Sequence, residues 1–110
     1  MLQALESLVQ RRKNVTKDYE LMVIYSPKLS SEEAERANEA VLTLIKDNGG
    51  EIVKTDVWGR RFLAYEINKL NEGYYYVNYF KLESTSIKTV KASLNINEQV
   101  LRHMFVVKEQ

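Results

Sequence analysis

A chain of 110 residues with 45% hydrophobic and 28% charged residues has the size and composition of one folded domain. The absence of cysteine excludes disulfides, thiolate metal sites and a cysteine nucleophile, and it fits the reducing cytoplasm. No apolar run approaches the roughly 18 residues of a membrane helix, and the N-terminal apolar residues precede the basic ones, the reverse of a secretory signal. We therefore expect a cytoplasmic domain without a membrane segment.

The net charge of +1 hides a separation of charge along the chain. Residues 1–17 sum to +3, residues 18–56 to −5 and residues 57–110 to +3. The protein can therefore present a local positive patch to an anionic partner, although its total charge does not indicate one. Charged surface in contact with solvent alone explains the same pattern.

The first seventeen residues are predicted to be an N-terminal extension, and residues 18–110 a single domain. The apolar residues of the extension that have helical spacing are Leu2, Leu5, Leu8 and Val9. Arg11, Arg12 and Lys13 would stand at the C-terminal end of such a helix, where the helix dipole favours positive charge. The extension is interpreted either as this helix or as a disordered basic arm.

A strand and a capped helix are predicted next. Tyr19–Ser26 (YELMVIYS) is apolar on both faces in its middle, as a central strand would be, and Pro27 ends it. Ser30 and Glu33 have the spacing of a capping box, and Gly49-Gly50 ends the helix. The apolar stripe between them consists of Ala34, Ala37, Val41, Leu44 and Ile45.

The second half of the chain is predicted to contain three strands and a helix. Glu51–Ile67 has a period of two with a bulge or bend at Gly59, and it forms a hairpin with Tyr74–Leu82 (YYYVNYFKL) through a turn over residues 68–73. A second helix follows over Ser84–Asn95, with Ser84, Thr85 or Ser86 as its cap. Val100–Lys108 (VLRHMFVVK) is the last strand.

The resulting order, βαββαβ, is that of an α+β ferredoxin-like domain, also called a split βαβ fold. Right-handed crossovers place both helices on one face of a four-stranded antiparallel sheet and leave the other face without a helix. Tyrosine supplies 7 of the 11 aromatic residues, and four of the tyrosines lie within Tyr74–Tyr79. The uncovered face is therefore expected to carry large amphipathic rings and to bind a partner.

Catalytic chemistry has little support in the sequence. His103 is the only histidine, so it has neither a histidine nor a cysteine partner for a metal, and no recognisable spacing forms a Ser/His/Asp triad around it. Gly49-Gly50 lacks the pattern of a phosphate-binding loop. We expect a binding protein and not an enzyme, with no cofactor, no metal and no small-molecule substrate.

One local resemblance concerns Gly73–Tyr79 (GYYYVNY), which is similar to the aromatic signature on the third strand of an RNA-recognition motif. In that interpretation Tyr74 or Tyr76 would stack on unpaired bases. Glu72 and Tyr75 depart from the signature, and the first strand lacks the companion motif. Packing of the tyrosines within the hairpin or against a protein explains the same residues.

A broader resemblance begins with Trp58–Tyr65 (WGRRFLAY) and covers residues 18–108. Its further members are Tyr19-Glu20, Pro27–Leu29, Gly50, Ile67, Lys69, Gly73–Tyr75, Phe80, Asn97, Val100–His103 and Val106–Lys108. Together these residues resemble the family of bacterial small-subunit ribosomal protein six. Glu66 stands where the family usually has proline, and residues 1–16 precede the point at which the family normally begins.

The resemblance implies a structural component of the bacterial small ribosomal subunit with a role in ribosome assembly and translation. Such a protein forms a heterodimer with the eighteenth small-subunit protein. The pair binds the central domain of the small-subunit ribosomal RNA after the fifteenth protein has organised the junction there. For the extension, the resemblance adds docking on the ribosome and an upstream start codon as interpretations.

The resemblance also implies two sets of contact residues. The long strand and its hairpin are expected to form the interface with the partner protein, through Trp58, Arg60, Arg61, Phe62 and Tyr65, types that are enriched at interface hot spots. The expected RNA contacts are Lys17, Arg102, His103 and Lys108, with Lys88 and Lys91 as secondary candidates. These residues would neutralise phosphates, so the affinity for RNA should fall steeply with salt.

Overall fold

A computed structural model of the protein describes residues 16–108. Its elements are β1 (Thr16–Tyr25), α1 (Ser31–Asp47), β2 (Glu51–Ile67), β3 (Leu70–Glu83), a 3₁₀ turn (Ser84–Ser86), α2 (Ile87–Asn95) and β4 (Val100–Lys108). The strands form one antiparallel sheet in the order β2-β3-β1-β4, which confirms the predicted ferredoxin-like fold. Most of the predicted extension, residues 1–15, lies outside the described residues.

Both helices pack on the same face of the sheet, as predicted. The buried core consists of Ala34, Ala37, Val41 and Ile45 from α1, Val90 and Leu94 from α2, and sheet residues that include Tyr19, Leu21, Val23, Tyr25, Phe80 and Leu82. Because side chains alternate along a strand, the neighbours of these sheet residues point to the opposite side. We call that side, which neither helix covers, the open face.

The first helix begins and ends at the predicted residues. The Ser30 hydroxyl accepts a hydrogen bond from the Glu33 amide at 3.1 Å, and the Glu33 carboxylate accepts one from the Ser30 amide at 3.0 Å, which completes the capping box. These bonds lower the pKa of Glu33. Gly49, with φ of +87°, takes the left-handed conformation that ends the helix.

The hairpin turn is shorter than the sequence predicts. It consists of two residues, Asn68 and Lys69, with φ of 52° and 66°, and β3 resumes at Leu70 instead of Tyr74. Positive φ at both central positions matches the right-handed twist of the strands, so the turn needs no further residues. The predicted six-residue turn was wrong, because neither position is the glycine that usually marks such a turn.

Two other boundaries differ from the prediction. β1 starts at Thr16, three residues early, because its first residues pair with the end of β3. The second helix starts at Ile87 after the 3₁₀ turn, and no side chain caps it. The predicted bulge at Gly59 is confirmed by φ of +79° and a shift in the β2–β3 register between Val57 and Gly59.

A buried polar network fixes α1 to three strands. Asn78, which is fully buried in β3, exchanges two side-chain hydrogen bonds with Asn38 of α1 at 3.0 and 2.9 Å. The Tyr25 hydroxyl donates to Asn38 at 2.8 Å, and the Thr55 hydroxyl donates to Asn78 at 3.0 Å. Burial raises the pKa of Tyr25, so its hydroxyl stays protonated and able to donate.

Candidate partner and nucleic-acid surfaces

The open face exposes apolar side chains in its centre. A shallow groove of about 200 Å³ is lined by Glu20, Met22, Trp58, Val77, Tyr79, Met104 and Val106. Trp58 is 47% exposed and Met104 50% exposed, and the Trp58 ring stacks on Tyr75 with 6.3 Å between ring centroids. The Trp58 indole therefore offers contact area in an orientation that Tyr75 holds in place.

The outer part of the hairpin, residues 60–73, curves over the same face. We call it the arm; its β3 residues have no partners in β1. The Arg102 guanidinium of β4 lies 4.9 Å from the centre of the Tyr65 ring of β2, although these strands form opposite edges of the sheet. Between them lies a second groove of about 220 Å³, lined in part by Ile24, Leu63 and Met104.

Arg60 and Arg61 project to opposite faces, as neighbours on a strand must. Arg60 is exposed but bonded to acceptors of its own chain. Its guanidinium donates to the Pro27 carbonyl at 3.3 Å, the Tyr74 hydroxyl at 3.3 Å and the Glu72 carboxylate at 3.1 Å. The bonds to Glu72 and then Tyr74 raise the pKa of Arg60. Arg60 therefore ties the base of the arm to the loop between β1 and α1.

Arg61 has a different environment. Its Nε donates to the Trp58 carbonyl at 3.1 Å, and its guanidinium lies 5.5 Å from the Trp58 ring centre. This stacking leaves Arg61 exposed beside the indole, in the arrangement by which arginine reaches carboxylates or carbonyls of a partner.

The five predicted interface residues thus divide between two faces. Trp58, Arg61 and Tyr65 lie together on the open face. Arg60 and Phe62 lie on the opposite side of β2, facing Tyr74 and Glu72, and Phe62 is 76% exposed. The sequence did not single out Tyr75, Met22, Met104 or Val106, although alternation from the buried residues of each strand would have assigned them to the open face.

The predicted RNA contacts also divide, along β4 and its neighbours. Arg102 and Lys108 lie on the open face near opposite ends of β4, and Lys108 pairs with Glu20 at 3.2 Å. Lys17, half-buried near the start of β1, lies at the same end of the sheet as Lys108. Lys88 is exposed in the first turn of α2, one turn before Lys91.

His103 faces the helix side instead. Its ring packs edge-to-face on Phe105 at 5.8 Å, and the Lys91 ammonium lies 5.5 Å from the same Phe105 ring. Partial burial, and then the charge of Lys91, lower the pKa of His103. The protonated form of His103 is therefore less favoured than that of a free imidazole.

The tyrosines of β3 are distributed differently from the expectation. Tyr74 and Tyr76 are buried on the helix side, with 8% and 5% of their surface exposed, while Tyr75 and Tyr79 lie on the open face. The alternation of β3 turns the Tyr74 and Tyr76 rings toward the helices, so the structure favours the interpretation in which these two tyrosines pack within the protein over the one in which they stack on bases.

The described residues contain no group of three or more histidine, cysteine or acidic side chains that could hold a metal ion. Between residues 16 and 108, no helix is long and apolar enough to cross a membrane. What the domain offers is a four-stranded sheet with one exposed apolar face and basic residues along an edge. The fold and these surfaces define a binding protein of the ferredoxin-like class.

The chain belongs to the ribosomal protein S6 family, because the model of that family matches residues 18–107. It is 48% identical over 84 residues to the small ribosomal subunit protein bS6 of Saccharopolyspora erythraea. This alignment spans 76% of this chain and 71% of that protein. The family assignment confirms the predicted resemblance, and it makes the chain a ribosomal protein and not an enzyme.

Two further comparisons extend this result. The bS6 protein of Dehalococcoides mccartyi is 36% identical over 103 residues, 94% of each chain. The crystal structure of 30S ribosomal protein S6 from Thermotoga maritima superposes with a TM-score of 0.81 at 30% identity, over 86% of this chain and 89% of that one. The similarity to solved structures therefore covers the fold as a whole.

Proposed function

We propose that the protein is a structural component of the small ribosomal subunit, where it binds the central domain of the small-subunit ribosomal RNA together with the eighteenth small-subunit protein. Membership of the S6 family over residues 18–107 supports a place in the small subunit. The observation that carries the choice of a protein partner is the open face, where Trp58, Arg61 and Tyr65 lie side by side.

The partner-protein interface is proposed to centre on these three residues. An indole that lines one groove, the guanidinium beside it and a phenol that lines the second groove have the composition of an interface hot spot. Phe62 would extend the contact around the edge strand β2, where it is exposed beside Glu72. Arg60 would act indirectly, because its guanidinium is occupied by acceptors of its own chain.

The RNA contact is proposed to involve Lys17, Arg102 and Lys108, which lie on β1 and β4, with Lys88 and Lys91 on α2 as further cations. Their contribution is proposed to be the neutralisation of phosphates. Specificity would come from the folded RNA junction and from the partner protein.

The test is a titration of a labelled central-domain RNA fragment with this protein, alone and with the eighteenth protein, at two salt concentrations. We expect weak binding by the protein alone and tight, salt-dependent binding by the pair. Equally tight binding to an unstructured RNA of the same length, with no need for the partner, would contradict the proposal. It would instead favour base stacking on Tyr75 and Tyr79 of the open face.

A further inference from the structure

Tyr65 and Arg102 join the proposed partner interface to the proposed RNA contact. Tyr65 lies on β2 and Arg102 on β4, the two edge strands of the sheet. Three strand spacings of about 4.8 Å place these edges about 14 Å apart. The Arg102 guanidinium nevertheless lies 4.9 Å from the centre of the Tyr65 ring. The arm must therefore bring Tyr65 across the sheet.

A bulge in β2 carries Tyr65 out of the strand ladder. The pairing of β2 with β3 stops after Phe62 and resumes at Ile67, so that residues 63–66 of β2 lie opposite Asn71 alone. An excess of residues on one strand bends that strand and redirects its side chains. The bulge thus turns Tyr65 toward β4, where its ring lines the groove under the arm.

The contact with Tyr65 holds Arg102 and leaves its hydrogen-bond donors free. A cation–π contact uses the charge of the guanidinium and none of its five N–H groups. Arg102 is exposed, and within residues 16–108 no carboxylate pairs with it. An arginine that is already held in place loses less side-chain freedom when it binds a phosphate. Arg102 is therefore both ordered by its own chain and available to RNA.

We propose that Tyr65 is a positioning residue for RNA binding, because its ring holds the Arg102 guanidinium where it can contact a phosphate. A partner protein that packs on Tyr65 would fix the arm, and with it Arg102. The arm thereby couples the partner site to the RNA site, so that each ligand strengthens the binding of the other. This inference deepens the proposed function and rests on it.

The first measurement uses the free protein and follows Arg102 by ¹⁵N relaxation of its Nε–H group. Its order parameter should be comparable to that of Arg60, which three hydrogen bonds hold in place. In Tyr65→Leu it should fall below about 0.6, the range of flexible groups. The matched control, Tyr65→Phe, keeps the ring and should keep the high value. A low value in the unmodified protein, or no change in Tyr65→Leu, would overturn the proposal.

The second measurement is a double-mutant cycle on binding to the central-domain RNA. The eighteenth protein is kept at saturating concentration, so that a weaker heterodimer is not read as weaker RNA binding. Tyr65→Leu should weaken RNA binding by about fivefold when Arg102 is present and by less than about twofold in the Arg102→Ala background. Tyr65→Phe should bind RNA like the unmodified protein. Equal effects of Tyr65→Leu in both backgrounds would show that Tyr65 does not act through Arg102, and would overturn the proposal.

The outcomes separate this inference from the proposed function. If the partner protein did not strengthen RNA binding by the unmodified chain, the proposed function would fail and the coupling with it. Partner-dependent RNA binding that Tyr65→Leu left unchanged would overturn the positioning role alone. Tyr65 is 56% exposed, so Tyr65→Leu should remain folded, which circular dichroism checks.

Discussion

Arg60 and Arg61 are neighbours of the same residue type, yet they make different contacts in the structure. Arg60 donates to Pro27, Glu72 and Tyr74, whereas Arg61 stacks over Trp58 on the exposed side. The sequence predicts that they lie on opposite faces, because alternation is a property of any strand. It does not reveal which face belongs to which arginine, because the bulge at Gly59 shifts the register.

We expect Arg61→Ala to weaken the proposed heterodimer with the partner protein by about tenfold, roughly 1.4 kcal/mol, as loss of an exposed interface arginine does. The free energy of unfolding should stay within about 0.5 kcal/mol of the original value, because Arg61 makes no contact with the core. Calorimetric titration with the partner and urea unfolding measure the two quantities.

The control for Arg61 is Arg60→Ala. This substitution removes the bonds to Pro27, Tyr74 and Glu72, so it should lower the free energy of unfolding. It should weaken binding to the partner protein only by shifting the position of the arm. If Arg61→Ala left partner binding intact while Arg60→Ala abolished it in a folded protein, the proposed interface would lie on the wrong face.

His103 should make stability depend on pH. Burial and Lys91 hold its folded pKa below the ordinary value of 6.5, so the unfolded chain binds a proton that the folded chain does not. Above pH 6.5 this difference in pKa does not affect the free energy of unfolding. As the pH falls from 6.5 to the folded pKa, it lowers the free energy of unfolding progressively. Urea unfolding across this window should therefore show a steeper loss of stability for the unmodified chain than for His103→Gln.

Lys91→Met provides the control for His103. It removes the nearby charge and keeps much of the side-chain volume, so the pKa of His103 should rise and the loss of stability on acidification should shrink in part. Burial is the larger cause and persists in this variant. An unchanged pH profile in His103→Gln would show that other groups produce the acid dependence.

Among the elements, α1 is positioned by the network around Asn78. We expect Asn78→Ala to cost about 1–3 kcal/mol, because the buried Asn38 side chain loses two hydrogen bonds and the partly buried Thr55 hydroxyl loses its acceptor. Urea unfolding measures the loss. Asn71, on the same strand but exposed, is the matched control, and Asn71→Ala should change stability by less than about 0.5 kcal/mol.

Elements with local signals were predictable from the sequence. The capping box at Ser30 and Glu33 and the helix end at Gly49 depend on residues only a few positions apart, so the first helix was placed correctly. The start of β3 was not, because Asn68 and Lys69 adopt positive φ without glycine and so hide a two-residue turn. The early start of β1 depends on pairing with β3, a contact between distant parts of the chain.

The candidate surfaces were less predictable than the elements. Residue type drew attention to Trp58 and Tyr65, which are exposed on the open face. The contact between Tyr65 and Arg102 could not be foreseen, because it requires the arm to cross the sheet from one edge strand to the other. Periodicity describes which side of a strand a residue takes, but not the curvature of the hairpin that carries it.

At the scale of the whole molecule, the two faces of the sheet have separate roles. The helix side holds the core and most of the buried tyrosines, so changes there act on stability. The open face holds Trp58, which the proposed partner would contact.

The difference between the two faces also applies to the basic residues of β4, and it predicts that they contribute differently to RNA binding. Arg102 is exposed on the open face, whereas its neighbour His103 faces Phe105 and has a lowered pKa. Arg102→Ala should therefore weaken binding of the heterodimer to the central-domain RNA and reduce its salt slope by about one, as expected for one lost phosphate contact. His103→Ala should leave the slope unchanged at neutral pH. Lys46→Ala, an equal charge change on α1, is the control, and an equal loss of slope in Arg102→Ala and Lys46→Ala would mean that RNA responds to net charge and not to this edge of the sheet.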